Sequence, residues 1–152
     1  MELEIPSNVR KSAEALFDSG LYCAESVILA IAKLHGVESE LLPKIATAFC
    51  SGMARTSGPC GALSGALMAI GLILGRSSAS QSIQDCYTPA QKLIREFEQE
   101  FGTRNCSDLL GCDLGTPEGQ AAFRERSLHE HCRRYTGKAA EMAARIITEA
   151  RE

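Results

Sequence analysis

The residues of this sequence with the clearest potential for chemistry are its cysteines, and they are spread along the whole chain. The seven positions are Cys23, Cys50, Cys60, Cys86, Cys106, Cys112 and Cys132. No two of them have the C-x-x-C spacing of a thioredoxin-like motif or a zinc knuckle, and the closest pair, Cys106 and Cys112, is six residues apart. A single cysteine is most often a small buried hydrophobe, so chemistry requires a fold that brings several thiols together.

The composition limits the setting in which these thiols would act. The chain of 152 residues has 16 Lys and Arg against 19 Asp and Glu, and a net charge of -3 gives no electrostatic basis for binding nucleic acid. The 7 cysteines are about 5% of the 152 residues, which is below the cysteine content of roughly 8–10% that marks a disulfide scaffold. No basic and apolar secretory signal opens the sequence. We therefore expect a cytoplasmic, reducing location, where neighbouring thiols are metal ligands or redox catalysts.

Cys60 has the most distinctive local setting of the seven. It follows a Gly-Pro dipeptide and opens the uncharged segment 60–75, which is rich in Gly and Ala. The segment is shorter than the roughly 20 apolar residues of a membrane span, so it predicts a central helix surrounded by other helices. Cys60 would lie in the first turn, where free backbone amides and the helix dipole favour a thiolate. We therefore predict that Cys60 is a nucleophile of lowered pKa and reacts faster than Cys50 and Cys86.

The elements that would position these cysteines are all helical by pattern. Apolar residues recur with the helical period, and no window alternates with the period of a strand. Helices are predicted at about 8–18, 21–35, 40–50, 60–75 and 89–101, from about 117, and from about 137 to the end, whereas 103–115 is predicted to be irregular. The sequence therefore predicts an all-α fold in which residues 1–152 form one compact bundle of about five to seven helices around the Gly/Ala-rich central helix.

Several short motifs occur in a recognisable order. The segment from Cys60 to Gly65 is a C-G-A-x-x-G motif, Cys23 precedes it within Gly-Leu-Tyr-Cys-Ala-Glu-Ser, and Cys106 and Cys132 follow it. In this order the chain resembles the redox-active protein family named for its C-GCAxxG-C-C cysteine pattern, over nearly its whole length. The resemblance implies a small helical protein, often encoded near transporters or oxidoreductases, with a redox role inferred from its cysteines.

The resemblance also implies which cysteines form the site. The four motif positions fall on Cys23, Cys60, Cys106 and Cys132, and the other three cysteines lie outside the motif. Cys50 stands where a glycine of a glycine-rich loop is expected. Four thiols brought together by the fold can bind zinc, hold an iron–sulfur cluster, or cycle between dithiol and disulfide. The cofactor therefore stays open between zinc, an iron–sulfur cluster and none.

His129 and the motif glycines are further candidates for the site. His129 shares a helix face with Cys132 at i, i+3. It is therefore a candidate metal ligand or a candidate base that activates a thiol. The alternative is that His129 is a solvated residue among nearby arginines. Gly61 and Gly65 each weaken a helix by about 1 kcal/mol relative to Ala. That cost suggests that a cofactor or a neighbouring helix approaches the backbone closely at both positions.

Three functions are compatible with these residues. The first is a thiol–disulfide redox protein, an oxidoreductase or a redox accessory protein, with Cys60 as nucleophile and Cys23, Cys106 or Cys132 as resolving thiol. The second is a metal or iron–sulfur carrier without catalysis, in which the four motif cysteines and His129 are ligands. The third is a structural interaction module with inert thiols. Expected partners are a protein redox partner or a transporter-associated protein, with no nucleic acid and no membrane span; oligomerisation is left open.

Overall fold

The computed structural model describes residues 4–152. Within this range it contains eight right-handed α-helices and no β-strand, which confirms the predicted all-α class. The helices are α1 Glu4–Asp18, α2 Cys23–Leu34, α3 Leu41–Ala46, α4 Gly61–Leu74, α5 Gln84–Phe101, α6 Cys106–Leu110, α7 Pro117–Glu125 and α8 His129–Ala150. The count exceeds five to seven because α6 forms in a segment predicted to be irregular. None of these helices combines the length and the apolar composition needed to cross a bilayer.

The centre of the bundle is formed by α2, α4 and α8, with α1 packed against α8 and α5 against both α4 and α8. Small residues on α4 allow α2 and α4 to approach each other closely. A Cβ atom added at Gly65 would lie 2.6 Å from the carbonyl oxygen of Ala24 on α2. The backbones of α2 and α4 therefore touch at Gly65, and helix packing explains the glycine there.

Helices α5 and α8, like α1, begin earlier than the sequence predicts. The α5 helix begins at Gln84, so Thr88 and Pro89 lie inside it and do not form its N-terminal cap. The α8 helix begins at His129 and continues through Gly137, which was predicted to be its start. A Cβ atom at Gly137 would overlap the Glu14 side chain of α1. Because α1 packs against α8 there, tertiary contact outweighs the roughly 1 kcal/mol cost of an interior glycine.

The other helix ends follow the capping rules more closely. Pro6 lies in the first turn of α1, which begins at Glu4 and not after Ser7. Proline is tolerated in a first turn because the N–H that it lacks has no partner there. At α7 the predicted signature is confirmed, because Thr116 Oγ1 accepts a hydrogen bond of 2.9 Å from the Gly119 amide.

The segment between α3 and α4 departs most from the sequence prediction. The predicted helix over 40–50 ends at Ala46 and is followed by a 3₁₀ turn, Thr47–Phe49. The next segment, Cys50–Arg55, is helical in its hydrogen bonding, but its backbone is left-handed from residue 51 to residue 55, with φ between 57° and 69°. We call residues 51–55 the left-handed turn. Each of its four non-glycine residues costs roughly 1–2 kcal/mol in this conformation, so contacts with the rest of the fold must stabilise it.

Candidate functional site

One cavity of about 340 Å³ opens between the N-termini of α2 and α4, the left-handed turn, and helices α6, α7 and α8. Six of the seven predicted site residues line it, namely Cys23, Cys60, Gly61, Cys106, His129 and Cys132. Gly65 is the exception, because it faces α2. The fold therefore brings all four motif cysteines to one enclosed space, whose volume is typical of a site for a small ligand.

A short backbone bridge holds two of the motif cysteines in place. Pro59 and Asn105 form an isolated antiparallel β-bridge. On its two sides the Cys60 amide donates to the Arg104 carbonyl at 2.7 Å, and the Cys106 amide donates to the Gly58 carbonyl at 3.0 Å. The start of α4 is therefore fixed against the start of α6, with Cys60 and Cys106 diagonally across the bridge.

The left-handed turn closes the same region from another side. A Cβ atom at Gly52 would lie 2.5 Å from the Cys106 Cβ atom and 3.2 Å from the Gly58 carbonyl oxygen. No side chain fits there, and Gly52 also has a φ of 69°. The turn therefore packs directly on the bridged segment, and this contact explains why a strained backbone is retained beside the cavity.

Cys60, Cys106 and Cys132 form what we call the thiol trio. Burial raises the pKa of Cys60 to about 12 and outweighs the hydrogen bonds from the Ala62 and Leu63 amides, which lower it. The Cys60 side chain is only 6% exposed. The prediction of a lowered pKa for Cys60 is therefore wrong, because its position at a helix N-terminus is also a position deep in the fold.

Burial also governs the other two members of the trio. It raises the pKa of Cys132 to about 12 and that of Cys106 to about 11. Negative charge on neighbouring cysteines adds to both effects, with Cys106 and Cys112 acting on Cys132, and with Cys112 acting on Cys106. The buried Tyr135 has a raised pKa, first from burial and then from charge on Cys60 and Cys132. All three thiols therefore hold their protons at neutral pH.

Cys23 and Cys50 form what we call the thiol pair. Cys23 is the first residue of α2 and lines the cavity, whereas Cys50 is 4% exposed and does not line it. A hydrogen bond with Cys23 is the main reason that the pKa of Cys50 is raised, followed by burial. Gly61 makes room for the pair, because a Cβ atom there would overlap the Cys23 sulfur and lie 3.1 Å from the Cys50 Cα atom.

The carboxylate of Glu25 lies beside the thiol pair and is held by two other donors. Its Oε1 atom accepts a hydrogen bond of 2.9 Å from the Tyr22 amide, which caps α2. Its Oε2 atom accepts one of 2.9 Å from the Thr47 hydroxyl. The Cys50 sulfur lies 3.7 Å from Oε1 and 3.6 Å from the Ala46 carbonyl oxygen, so either oxygen can accept its proton. Glu25 therefore links the start of α2, the 3₁₀ turn and the thiol of Cys50.

Basic side chains complete the cavity lining. His129, exposed at the start of α8, stacks on Phe17 with ring centroids 4.6 Å apart. Arg55, on the left-handed turn, and Arg124, on α7, also line the cavity. Neither arginine forms an ion pair with any acidic residue in the range 4–152. Their charges are therefore free to attract an anionic group.

The predicted metal ligands line the cavity without forming a coordination sphere. Across the described residues, no three His, Cys, Asp or Glu side chains converge closely enough to hold a metal ion. A zinc site needs four donors at about 2.0–2.3 Å from one point. The arrangement of the four motif cysteines and His129 therefore does not fit a preformed metal or cluster site. All seven cysteines are free thiols.

The remaining cysteines differ in their relation to the cavity. Cys86 lies on α5, away from the cavity lining, and is half-buried. Cys112 is half-buried just after α6, near enough to the trio to affect its pKa values. Sequence reasoning did not identify Glu25 or Arg55 as site residues. Only Glu25 has a local signal, since an acidic residue three positions after a cap is a capping-box position.

Comparison with known proteins identifies a family that the chain matches. The model of the family described as "Putative redox-active protein (C_GCAxxG_C_C)" matches residues 21–146, a range that includes every cysteine of the chain. No curated protein matches the chain, and no solved structure matches it.

Proposed function

Because the chain belongs to the C_GCAxxG_C_C family of redox-active proteins, we propose that it exchanges thiol and disulfide groups with a small substrate inside the cavity. One observation carries this proposal: the four motif cysteines, all free thiols, line the same cavity. Thiols that share an enclosed space can react with one bound molecule and then with each other.

The reaction is a transfer of two electrons and two protons. Two cysteine thiols become one disulfide while a substrate disulfide becomes two thiols. Because burial keeps the thiol trio protonated, attack by any of its members requires a group that accepts the proton. His129 lies three residues before Cys132 on α8 and lines the same cavity, so it is our candidate for that base.

The cavity favours a small substrate with negative charge. Cys60 is 6% exposed and Cys106 is 8% exposed, so a folded protein cannot reach either sulfur without a rearrangement. Arg55 and Arg124 offer two guanidinium groups that have no acidic partner among residues 4–152. Guanidinium groups bind carboxylates in a bidentate geometry. We therefore propose a carboxylate-bearing disulfide as substrate, with a protein redox partner returning the electrons.

A redox titration with differential alkylation tests this function. The protein is purified without oxygen, equilibrated in buffers of reduced and oxidised dithiothreitol, and labelled before and after full reduction. Trypsin releases separate peptides for Cys23, Cys50, Cys60, Cys86 and Cys132, and one peptide, 105–124, for Cys106 and Cys112. We expect two cysteines per chain, at least one of them lining the cavity, to be oxidised reversibly while Cys86, the internal control, stays reduced.

Two results would overturn this proposal. The first is that all seven thiols stay reduced at every potential of the titration. The second comes from metal and sulfide analysis of the protein purified without oxygen. Stoichiometric zinc, or iron with labile sulfide, would assign the cysteines to a metal site and not to exchange.

A further inference from the structure

The thiol pair suggests which two cysteines react first, an assignment that rests on the proposed function. We propose that Cys50, which lies outside the family motif, is the resolving thiol for Cys23, and that a small-molecule disulfide oxidises the two to an internal Cys23–Cys50 disulfide. The motif alone would assign the resolving role to another motif cysteine. The contacts around Gly61 and Glu25 favour Cys50.

The two members of the pair differ in their access to the cavity. Cys23 lines it, whereas Cys50 lies behind and is 4% exposed. A substrate therefore meets the Cys23 sulfur first. The Cys50 residue packs beside that sulfur, because a single Cβ atom added at Gly61 would contact both the Cys23 sulfur and the Cys50 Cα atom, so its thiol is placed to attack next. One thiol open to the substrate and a second buried behind it is the arrangement that a two-step exchange requires.

The thiol trio lacks this arrangement. All three of its members line the cavity, so none of them lies buried behind another as Cys50 lies behind Cys23. Cys60 and Cys106 are diagonal across the β-bridge, and residues in that relation in a regular antiparallel ladder have Cα atoms about 7–8 Å apart, at or beyond the roughly 7 Å limit for a disulfide without backbone movement. We therefore expect the trio to stay reduced when the thiol pair closes.

The exchange balances in two steps. The Cys23 thiolate attacks a disulfide R–S–S–R, forms a Cys23–S–S–R bond and releases one R–S⁻, which takes up the proton that Cys23 lost. The Cys50 thiol passes its proton to the Glu25 carboxylate, and its thiolate attacks the Cys23 sulfur. The Cys23–Cys50 disulfide forms, and the second R–S⁻ leaves with the proton from Glu25. The substrate gains two electrons, and the protein loses two.

Glu25 is suited to accept the proton of Cys50 because two hydrogen bonds fix the orientation of its carboxylate. Hydrogen bonds of 2.9 Å from the Tyr22 amide and from the Thr47 hydroxyl hold one oxygen each. Oxygen Oε1, which binds the Tyr22 amide, is also the one 3.7 Å from the Cys50 sulfur. A small contraction of this distance brings the proton of Cys50 within transfer range as Cys50 attacks Cys23.

The test is a time course with hydroxyethyl disulfide as the probe, acid-quenched and mapped without reduction. We expect the peptide 12–33, which contains Cys23, to become linked to the peptide 45–55, which contains Cys50. In Cys50→Ser the probe should remain attached to Cys23 as a mixed disulfide, whose lifetime should rise at least tenfold. Cys86→Ser, which removes the cysteine on α5, is the matched control. This variant should form the Cys23–Cys50 disulfide at the wild-type rate.

Glu25→Gln separates proton transfer from packing. Gln also serves at this position of a capping box, so α2 should stay capped. We expect the mixed disulfide on Cys23 to form at the wild-type rate and the closure by Cys50 to slow roughly tenfold, with unchanged thermal unfolding. A merely structural role would change both steps or the unfolding.

The wild-type map decides the inference even where a variant fails to fold. A link from Cys23 to Cys60, Cys106 or Cys132, or a free Cys50 in protein with oxidised Cys23, would overturn it and leave the proposed function standing. If the probe oxidises no cavity cysteine at all, the proposed function fails together with it.

Discussion

Cys23 of the thiol pair lines the same cavity as the thiol trio, but the main cause of the raised pKa differs between Cys50 and the trio. In the trio, burial is the first cause of each raised pKa. In the pair, the first cause for Cys50 is its hydrogen bond with Cys23. Burial acts on a thiol wherever it is placed deep in a fold, whereas a hydrogen bond requires a specific neighbour. The comparison indicates that depth in the fold is the main control on the pKa of each trio thiol, whereas the pKa of Cys50 depends first on one specific neighbour, Cys23.

Gly61 lies between the two groups, and its substitution should have the largest effect. In Gly61→Ala the new methyl group would overlap the Cys23 sulfur and lie 2.9 Å from the Phe49 carbonyl oxygen. We expect a loss of about 2–3 kcal/mol in the free energy of unfolding, measured in urea, and much slower oxidation of Cys23.

The matched control for this change lies in the same helix. Gly71, also on α4, has nothing within 4 Å of an added Cβ atom. Gly71→Ala should therefore raise the free energy of unfolding by roughly 0.5–1 kcal/mol, the gain in helix propensity. Equal effects of the two substitutions would contradict the close packing of the thiol pair on α4.

The free energy of unfolding should fall at alkaline pH because of the thiol trio. A thiol whose pKa is about 11–12 in the folded protein binds its proton more tightly than in the unfolded chain, where the pKa is about 8.5. Its stabilising contribution is complete below about pH 8.5 and is lost as the pH rises toward 11–12. Each such thiol should lower the free energy of unfolding by up to about 1.4 kcal/mol per pH unit in this window.

Unfolding in urea at pH 8 and pH 10 measures this slope. Cys60→Ser removes one titrating thiol of the trio, so its slope should be shallower than that of the wild-type protein by up to about 1.4 kcal/mol per pH unit. Cys86→Ser, outside the cavity, is the control for the loss of a cysteine. If Cys60→Ser leaves the slope unchanged, burial does not hold the proton of Cys60.

A smaller effect should come from the arginines that attract substrate to both groups. Arg124→Gln should reduce the rate of protein oxidation by glutathione disulfide about fivefold, equivalent to about 1 kcal/mol for one exposed charge. Oxidation by the neutral hydroxyethyl disulfide should not change. Arg126→Gln, two residues further on and outside the cavity lining, is the control. The same loss with both disulfides would argue against an anionic substrate.

The smallest expected effect concerns the left-handed turn that connects the pair to the trio. Ala54 is exposed and has a φ of 57°. Ala54→Gly removes the left-handed penalty of about 1–2 kcal/mol but adds chain entropy to the unfolded state, so we expect a net stabilisation of about 0.5–1 kcal/mol. Ala48→Gly, in the right-handed 3₁₀ turn, should be destabilising. A destabilising Ala54→Gly would contradict the left-handed backbone.

The sequence predicted the helices better than their ends. The uncharged, Gly-rich segment that became α4 and the Thr-Pro start of α7 have strong local signals, and both were located correctly. The start of α8 was missed by eight residues, because its first turns are charged and lack a cap, and because Gly137 resembled a helix start. Packing of α1 against Gly137 allows the helix to pass through it.

The same contrast holds for Cys50. Its spacing from Leu42 and Ala46 placed it on a helical stripe, yet the chain turns left-handed immediately after it. That turn depends on the contact of Gly52 with Cys106, a residue far along the sequence. No local pattern could predict this turn, and none could predict that Cys50 would lie beside Cys23.

The sequence by itself determined the helical class, through the period of its apolar residues, and the family, through the order of its four motif cysteines. Both are properties of short segments and their spacing. Only the tertiary structure decided that the cysteines share one cavity, that Cys60 has a raised pKa, and that Cys50 contacts Cys23. Burial and hydrogen bonding between distant segments arise only when the helices pack, so a cysteine's chemistry depends on neighbours that its local sequence does not specify.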